Sequence, residues 1–238
     1  MKRIPILGCL AALAAAAAGL SLVAPPVRSA DKGDEGWVSL FNGKDLDGWV
    51  RRGGKAKYTV EKGEIVGTTV PKQANSFLCT KKDYSDFILE LEFKVDPPPM
   101  NSGVQIRSQC FDEPRTVEIN GKKYRIPAGR VHGYQVEIDP KPDRAWTGGI
   151  YDEGRRAWLY KLDNNEAARK AFKPNEWNKL RVECQGDRIR TWLNGVPAAD
   201  LKDAVTPSGF IALQVHAVGK KQEPLEVRFR NLRIKELK

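Results

Sequence analysis

Gln105 and Arg107 in the segment Asn101-Ser102-Gly103-Val104-Gln105-Ile106-Arg107 share one parity, and Val104 and Ile106 take the other. In Gly133-Tyr134-Gln135-Val136-Glu137-Ile138-Asp139 the polar set is Gln135, Glu137 and Asp139; in Ala212-Leu213-Gln214-Val215-His216 it is Gln214 and His216. Alternate side chains of an extended chain point to opposite faces, so each segment reads as a strand with one buried face and one polar face. If the three strands are neighbours, one surface gathers amides, carboxylates, a guanidinium and an imidazole. Amides both donate and accept, which suits sugar hydroxyls, and Glu137 and His216 supply an acid and a base. Tyr134, Trp146, Tyr151 and Trp158 offer flat apolar faces for a pyranose ring. Any one of these strands alone would read as a solvated face. The stripe of Glu90, Glu92 and Lys94 has the same alternation with plain surface composition, and suggests no site.

Other chemistries lack their residues. There is no Gly-rich phosphate loop, no G-x-S-x-G elbow, no H-E-x-x-H and no D-x-D-x-D-G calcium loop. His132 and His216 are the only histidines, which argues against a multi-histidine zinc site. No cofactor is expected; a divalent metal held by carboxylates and His216 stays open, with no spacing to support it. The 238 residues carry a formal charge of +10, but the basic pairs Lys81-Lys82, Lys122-Lys123, Arg155-Arg156 and Lys220-Lys221 are scattered among acids, which argues against nucleic acid.

The elements that must position these residues begin after the N-terminus. Residues 1–30 open with Lys2 and Arg3, continue as an apolar Ala-rich run and end in Pro25, Pro26 and small residues, the form of a secretory signal peptide cleaved within 24–30. A retained anchor and a lipid attached at Cys9 are the weaker alternatives. Losing Lys2, Arg3 and Arg28 takes three of the 40 bases and none of the 30 acids, leaving +7 on an exported, periplasmic or extracellular chain with no membrane span. Residues 31–238 then form a single domain. Its runs, clearest in Phe87-Ile88-Leu89-Glu90-Leu91-Glu92-Phe93-Lys94-Val95, approach a dozen strands and predict an all-β sandwich with one short loop helix near Asn164–Phe172. Asn42-Gly43, Asn120-Gly121 and Asn194-Gly195 are hairpin signals, and the parity change from Phe229 to Leu232 demands a bulge near Arg230 and Asn231. Cys79, Cys110 and Cys184 form no C-x-x-C pair, and Cys184 alternates as a buried thiol would.

Taken in order, several phrases resemble the family of secreted bacterial 3-keto-disaccharide hydrolase domains. They are Leu40-Phe41-Asn42-Gly43-Lys44-Asp45-Leu46-Asp47-Gly48-Trp49, the three strand segments above extended to Gly209-Phe210-Ile211-Ala212-Leu213-Gln214-Val215-His216, Thr147-Gly148-Gly149-Ile150-Tyr151, Trp177-Asn178, Trp192-Leu193-Asn194-Gly195 and Val227-Arg228-Phe229-Arg230-Asn231-Leu232. The resemblance implies a concanavalin A-like jelly roll whose groove binds carbohydrate and acts on glycosides oxidised at C3. Such a ketone acidifies the C2 proton, so the roles expected are Glu137 or His216 as base with the other assisting, Arg107 as enolate stabiliser, and Gln105, Gln135, Asp139, Gln214, Tyr151 and Trp146 as substrate contacts. A non-catalytic carbohydrate-binding module is the competing expectation. Ala217 after His216, the charged loop 219–223 and a long stretch between Cys110 and Arg130 depart from the family pattern and should reshape the rim of the groove.

Overall fold

Alternating apolar and polar residues fold this chain into strands, 17 of them among the residues described. The computed structural model describes residue 1 and residues 35–95, 97, 100–219 and 224–237. The leader expected over 1–30, beyond Met1, and residues 220–223 of the charged loop lie outside the described residues. In chain order the strands are β1 (Trp37–Ser39), β2 (Trp49–Gly53), β3 (Lys57–Glu61), β4 (Glu64–Thr68), β5 (Ser76–Tyr84) and β6 (Phe87–Val95). Next come β7 (Ser102–Cys110), β8 (Arg115–Ile119), β9 (Lys122–Ile126), β10 (Val131–Ile138), β11 (Ile150–Glu153) and β12 (Ala157–Tyr160). After the helix α1 (Glu166–Lys170) follow β13 (Asn178–Gln185), β14 (Arg188–Leu193), β15 (Val196–Lys202), β16 (Gly209–Val215) and β17 (Glu226–Glu236).

Two antiparallel sheets stack with their apolar faces together, as the alternation predicts. One runs β15-β14-β13-β6-β17-β4-β3 with β1 added on β17; the other runs β12-β11-β10-β7-β16-β5-β2, and β8-β9 forms a separate ribbon. Leu89, Leu91, Phe93, Val182 and Phe229 of the first sheet meet Val104, Ile106, Val136, Ile138, Leu213 and Val215 of the second in one core. Strands of three or four residues such as β1, β11 and β12 are too short to show a period, which is why the count exceeds the dozen expected.

Local chemistry explains most of the turns. Asn165 caps α1, its side chain accepting from the Ala168 N–H at 3.1 Å. Asn120-Gly121 and Asn194-Gly195 close the β8-β9 and β14-β15 hairpins, with φ of 52° and 74°, and 50° and 84°. Asn42-Gly43 makes no hairpin, because β1 pairs with β17 and β2 with β5; the Asn42 side chain instead accepts from the N–H groups of Lys44 and Asp45. The bulge expected in β17 is present, with a register shift between Arg230 and Arg233 and Asn231 at φ 53°.

A second bulge, in β7, was not legible. Against β10 the pairing passes from Gln109↔His132 to Ile106↔Tyr134, and against β16 from Ser108↔Phe210 to Gln105↔Ala212, so β7 carries one extra residue relative to both neighbours. That residue is Arg107, at φ 45°. Its guanidinium leaves the polar face expected for it: Nε donates to Ser85 O at 2.6 Å, Nη1 to Gly186 O at 2.8 Å and Nη2 to Asp86 Oδ1 at 2.8 Å, with the residue 1% exposed. Arg107 therefore ties the β5-β6 turn to the β13-β14 turn and is not positioned to stabilise an enolate. Tyr134 is likewise a core residue, its hydroxyl donating to the Asp203 carboxylate.

The three described cysteines are free, Cys79 and Cys184 are buried, and burial pushes the Cys184 thiol up to about 12. Among the described residues no helix is long and apolar enough to cross a membrane.

Breaking the Arg107 anchor leaves Asp86, 35% exposed, and the carbonyls of two exposed residues to be taken up by water. Arg107→Met is expected to cost about 1–3 kcal/mol in urea unfolding, whereas a cost below about 0.5 kcal/mol would mean the two turns hold without it.

Candidate functional site

The order β11-β10-β7-β16 makes neighbours of the strands singled out in the sequence, and their outer parity meets on one face. Gln135 on β10 sits opposite Gln105 on β7 and Tyr151 on β11. A cleft of about 340 Å³ opens over this face. The strands give it Gln135, Glu137, Tyr151, Glu153, Trp158 and Gln214; the flanking loops add Asn75, Asn101, Arg130, Arg144 and His216. A larger groove of about 560 Å³ lies between β2 and β3, lined by Leu46, Trp49, Tyr58 and Leu78, but it contains no carboxylate or imidazole.

Glu137 is the most perturbed acid of the cleft. It is 5% exposed, its Oε2 accepts from Asn101 Nδ2 at 3.1 Å and its Oε1 from Gln135 Nε2 at 2.5 Å. Burial is the largest influence on it and raises its pKa; the Asn101 and Gln135 bonds oppose this, Asp139 and Glu153 reinforce it, and the result is pushed up to about 7. A base titrating there has both protonation states available near neutrality. Glu153 is raised too, first by burial, against the opposing influence of Arg130, its ion-pair partner, and of His216. His216 Nδ1 lies 2.8 Å from Ala217 O. A carbonyl only accepts, so Nδ1 carries the proton and Nε2 is the nitrogen left for chemistry.

One wall is aromatic and cationic. Tyr151 and Trp158 meet edge-on at 5.4 Å between centroids, and Trp158 meets Trp146 at 4.7 Å. Arg144 lies over Trp146 at 5.3 Å, and its Nη2 is 2.9 Å from Asp139 Oδ2.

Of the residues named from the sequence, Glu137, His216, Gln135, Gln214 and Tyr151 line the cleft. Gln105, Asp139 and Trp146 stand one layer behind it: Gln105 under Gln135, Asp139 against Arg144, and Trp146 against Trp158. None of these three lines the cleft, and Arg107 is absent from the site altogether. Glu153 was missed although the signal was present, since it shares the parity of Tyr151 two residues earlier on β11. Arg130, Arg144 and Asn75 lie outside the strands and had no periodic signal. Among the described residues no group of three or more His, Cys, Asp or Glu side chains is arranged to hold a metal ion.

The sequence matches the family of 3-keto-alpha-glucoside-1,2-lyase-like domains over residues 36–235. No curated protein has a sequence that matches this chain. Among solved structures, a candidate glycosyl hydrolase from Parabacteroides distasonis superposes with a TM-score of 0.56 at 23% identity, covering 87% of this chain and 96% of its own. Carbohydrate binding module CBM66 from Bacillus subtilis gives 0.54 at 18% identity, covering 79% and 96%. A Bacillus subtilis protein of unknown function with a galectin-like fold gives 0.58 at 12% identity, covering 84% and 94%. At these identities the likeness concerns the fold: a lectin-like jelly roll.

The raised Glu137 pKa has a stability consequence. A carboxyl that titrates near 7 when folded and near 4.5 when unfolded contributes stability that is complete below about 4.5 and is lost as pH rises through about 7. Glu137→Gln does not titrate, so its stability relative to the parent should rise by up to about 3 kcal/mol between pH 4.5 and pH 8. Urea midpoints at the two pH values measure this, and a difference independent of pH would place the folded Glu137 at its ordinary value.

Proposed function

That this chain belongs to the 3-keto-alpha-glucoside-1,2-lyase-like family, matched over residues 36–235, is the premise from which we propose that it cleaves 3-keto-glycosides, with Glu137 as the base. The family and the carbohydrate-related neighbours support a carbohydrate-active role. The observation that carries the finer claim is a buried carboxylate in a cleft large enough for a sugar, held by two amide donors and raised to about 7.

The chemistry follows from the ketone. Glu137 takes the C2 proton, and the C2–H electron pair passes into an enolate on the C3 oxygen. The enolate collapses back to the ketone, forms the C1–C2 double bond and expels the C1 oxygen, which receives the Nε2 proton of His216 in its imidazolium form. No oxocarbenium ion is needed. Water then adds to C1 of the enone, losing its proton to His216, while Glu137 returns a proton to C2; the sum is hydrolysis, and release before the water step makes the protein a lyase. With Arg107 elsewhere, Arg144 and Arg130 are the cations at the cleft that can face the enolate oxygen. Tyr151 and Trp158 supply the apolar wall, and Gln135 and Gln214 contact hydroxyls.

Incubation of the purified protein with a 3-keto-disaccharide and with its unoxidised parent tests this. Cleavage of the keto compound alone is expected, with solvent deuterium entering C2, and Glu137→Gln should lower kcat at least about 100-fold with unchanged circular dichroism. Full turnover by Glu137→Gln would remove that residue from the mechanism, and saturable binding without cleavage would make the protein a carbohydrate-binding module. Export by the leader over residues 1–30 belongs to the same proposal; N-terminal sequencing of secreted protein should find a start between residues 25 and 31, and an intact Met1 would refute cleavage.

A further inference from the structure

Behind Glu137 lies a line of polar side chains almost wholly shielded from solvent. Ser108 Oγ donates to Gln105 Oε1 at 2.6 Å, Gln105 Nε2 donates to Gln135 Oε1 at 2.6 Å, and Gln135 Nε2 donates to Glu137 Oε1 at 2.5 Å. Ser108 and Gln105 are 0% exposed and Gln135 is 1% exposed. A buried polar chain costs stability unless every member is satisfied. An amide has nearly the same shape either way round, so what it presents to a neighbour is decided by its partners.

We propose that Ser108 and Gln105 are positioning residues, locking the Gln135 amide with its N–H toward Glu137 so that the ionised carboxylate is favoured and oriented as a proton acceptor. The direction agrees at both ends: the ionised Glu137 carboxylate only accepts, which turns the Gln135 nitrogen toward it, and Ser108 makes its shortest contact with Gln105 Oε1. The Ser108 hydroxyl has one proton, and its contacts with Ile106 O and Tyr134 O are longer, at 3.1 and 3.2 Å, than the 2.6 Å contact with Gln105. Gln105 therefore turns its oxygen to Ser108 and its nitrogen to Gln135, and Gln135 must do the same toward Glu137.

The backbone makes room for this chain in three places. The extra residue at Arg107 lets Ser108 and Gln105, three positions apart, share the outer face, where strict alternation would oppose them. Gly133, at φ 134°, faces Ser108, where a Cβ would come within 2.5 Å of Oγ. Gly103 pairs with Glu137, and a Cβ there would come within 2.6 Å of the Gln135 amide carbon.

Other groups also bear on Glu137: Asn101 before β7, Asp139 after β10, Tyr151 and Glu153 on β11, Arg130 and Arg144 from loops, and His216 after β16. None of these touches Ser108 or Gln105 through a described hydrogen bond, so changing the chain leaves them in place. The proposal rests on Glu137 being the base, and the test reads the titration of Glu137 itself, so the two can fail separately.

The experiment is a carbon-13 carboxyl NMR titration, with the Glu137 resonance identified by its loss in Glu137→Gln, alongside kcat against pH on a 3-keto-disaccharide. Gln105→Leu leaves Gln135 Oε1 without a donor and so frees the amide to turn, and in the turned form the ionised Glu137 loses a hydrogen bond. Its titration should move to higher pH by about one unit, and the acid limb of kcat should move with it. Ser108→Ala should shift both in the same direction by less, and Ser108→Thr, which keeps the hydroxyl, should restore them. An unmoved Glu137 titration in folded Gln105→Leu protein overturns the proposal; if that variant does not fold, an unmoved titration in Ser108→Ala does so. A moved titration with an unmoved kcat profile supports the positioning chain and overturns Glu137 as the base.

Discussion

One extra residue in the middle of β7 sets two separate parts of this molecule. With Arg107 at positive φ, the strand keeps its pairing to β10 and β16 on both sides but changes which side chain faces where. Arg107 turns away to join two turns of the sandwich, and Ser108 takes a place on the face that holds Glu137. Had the strand run without the bulge, the guanidinium would stand among the cleft residues and the Ser108–Gln105 contact would not form. A buried guanidinium needs several acceptors, and the carbonyls of Ser85 and Gly186 with the Asp86 carboxylate provide them.

The two sheets handle buried carboxylates in opposite ways. Glu90, on the outer face of the first sheet, is 7% exposed, close to the 5% of Glu137. Burial pushes Glu90 up as well, but its bonds to Arg233, Lys179 and Arg181 outweigh that and hold it at about 2. Glu137 has neutral amides as hydrogen-bond partners and titrates near 7. Cations fix a carboxylate in its charged form as part of the sheet surface, whereas amides orient it and leave its proton exchangeable. Arg228, Arg230, Arg233 and Arg190 make the first kind of arrangement with acids along the same face.

The site also shows how shape and chemistry divide along the chain. Strand residues supply the floor, where β-sheet geometry places groups reproducibly; loops supply Asn75, Asn101, Arg130 and Arg144 at the rim. The aromatic wall is built by packing at distance, Trp146 behind Trp158 and Trp158 against Tyr151. The ribbon β8-β9 accounts for the long stretch between Cys110 and Arg130 noted in the sequence, and the chain leaving it leads directly to Arg130 at the cleft.

Period-two alternation was enough, by itself, to determine the all-β class, the core faces of β6, β7, β10, β13 and β16 and the bulge in β17, and Asn-Gly turn chemistry determined the hairpins at Asn120-Gly121 and Asn194-Gly195. Alternation also put Gln135 and Glu137 on the outer face of β10 and Gln214 on that of β16, because a strand offers its side chains only two directions and burial chooses between them; that the two strands share a sheet was decided by the tertiary structure. The tertiary structure decided what lay beyond one strand's period. Arg107 failed the parity rule because a bulge is specified jointly by a strand and both its neighbours, and the β17 bulge was legible only because apolar residues stand on both sides of it. Glu153 and the arginines joined the site through strand order and loop paths, which depend on contacts distant in sequence. The Glu137 pKa and the direction of its amide chain are properties of burial and of partners brought in from β7 and β11, so no reading of β10 alone contains them.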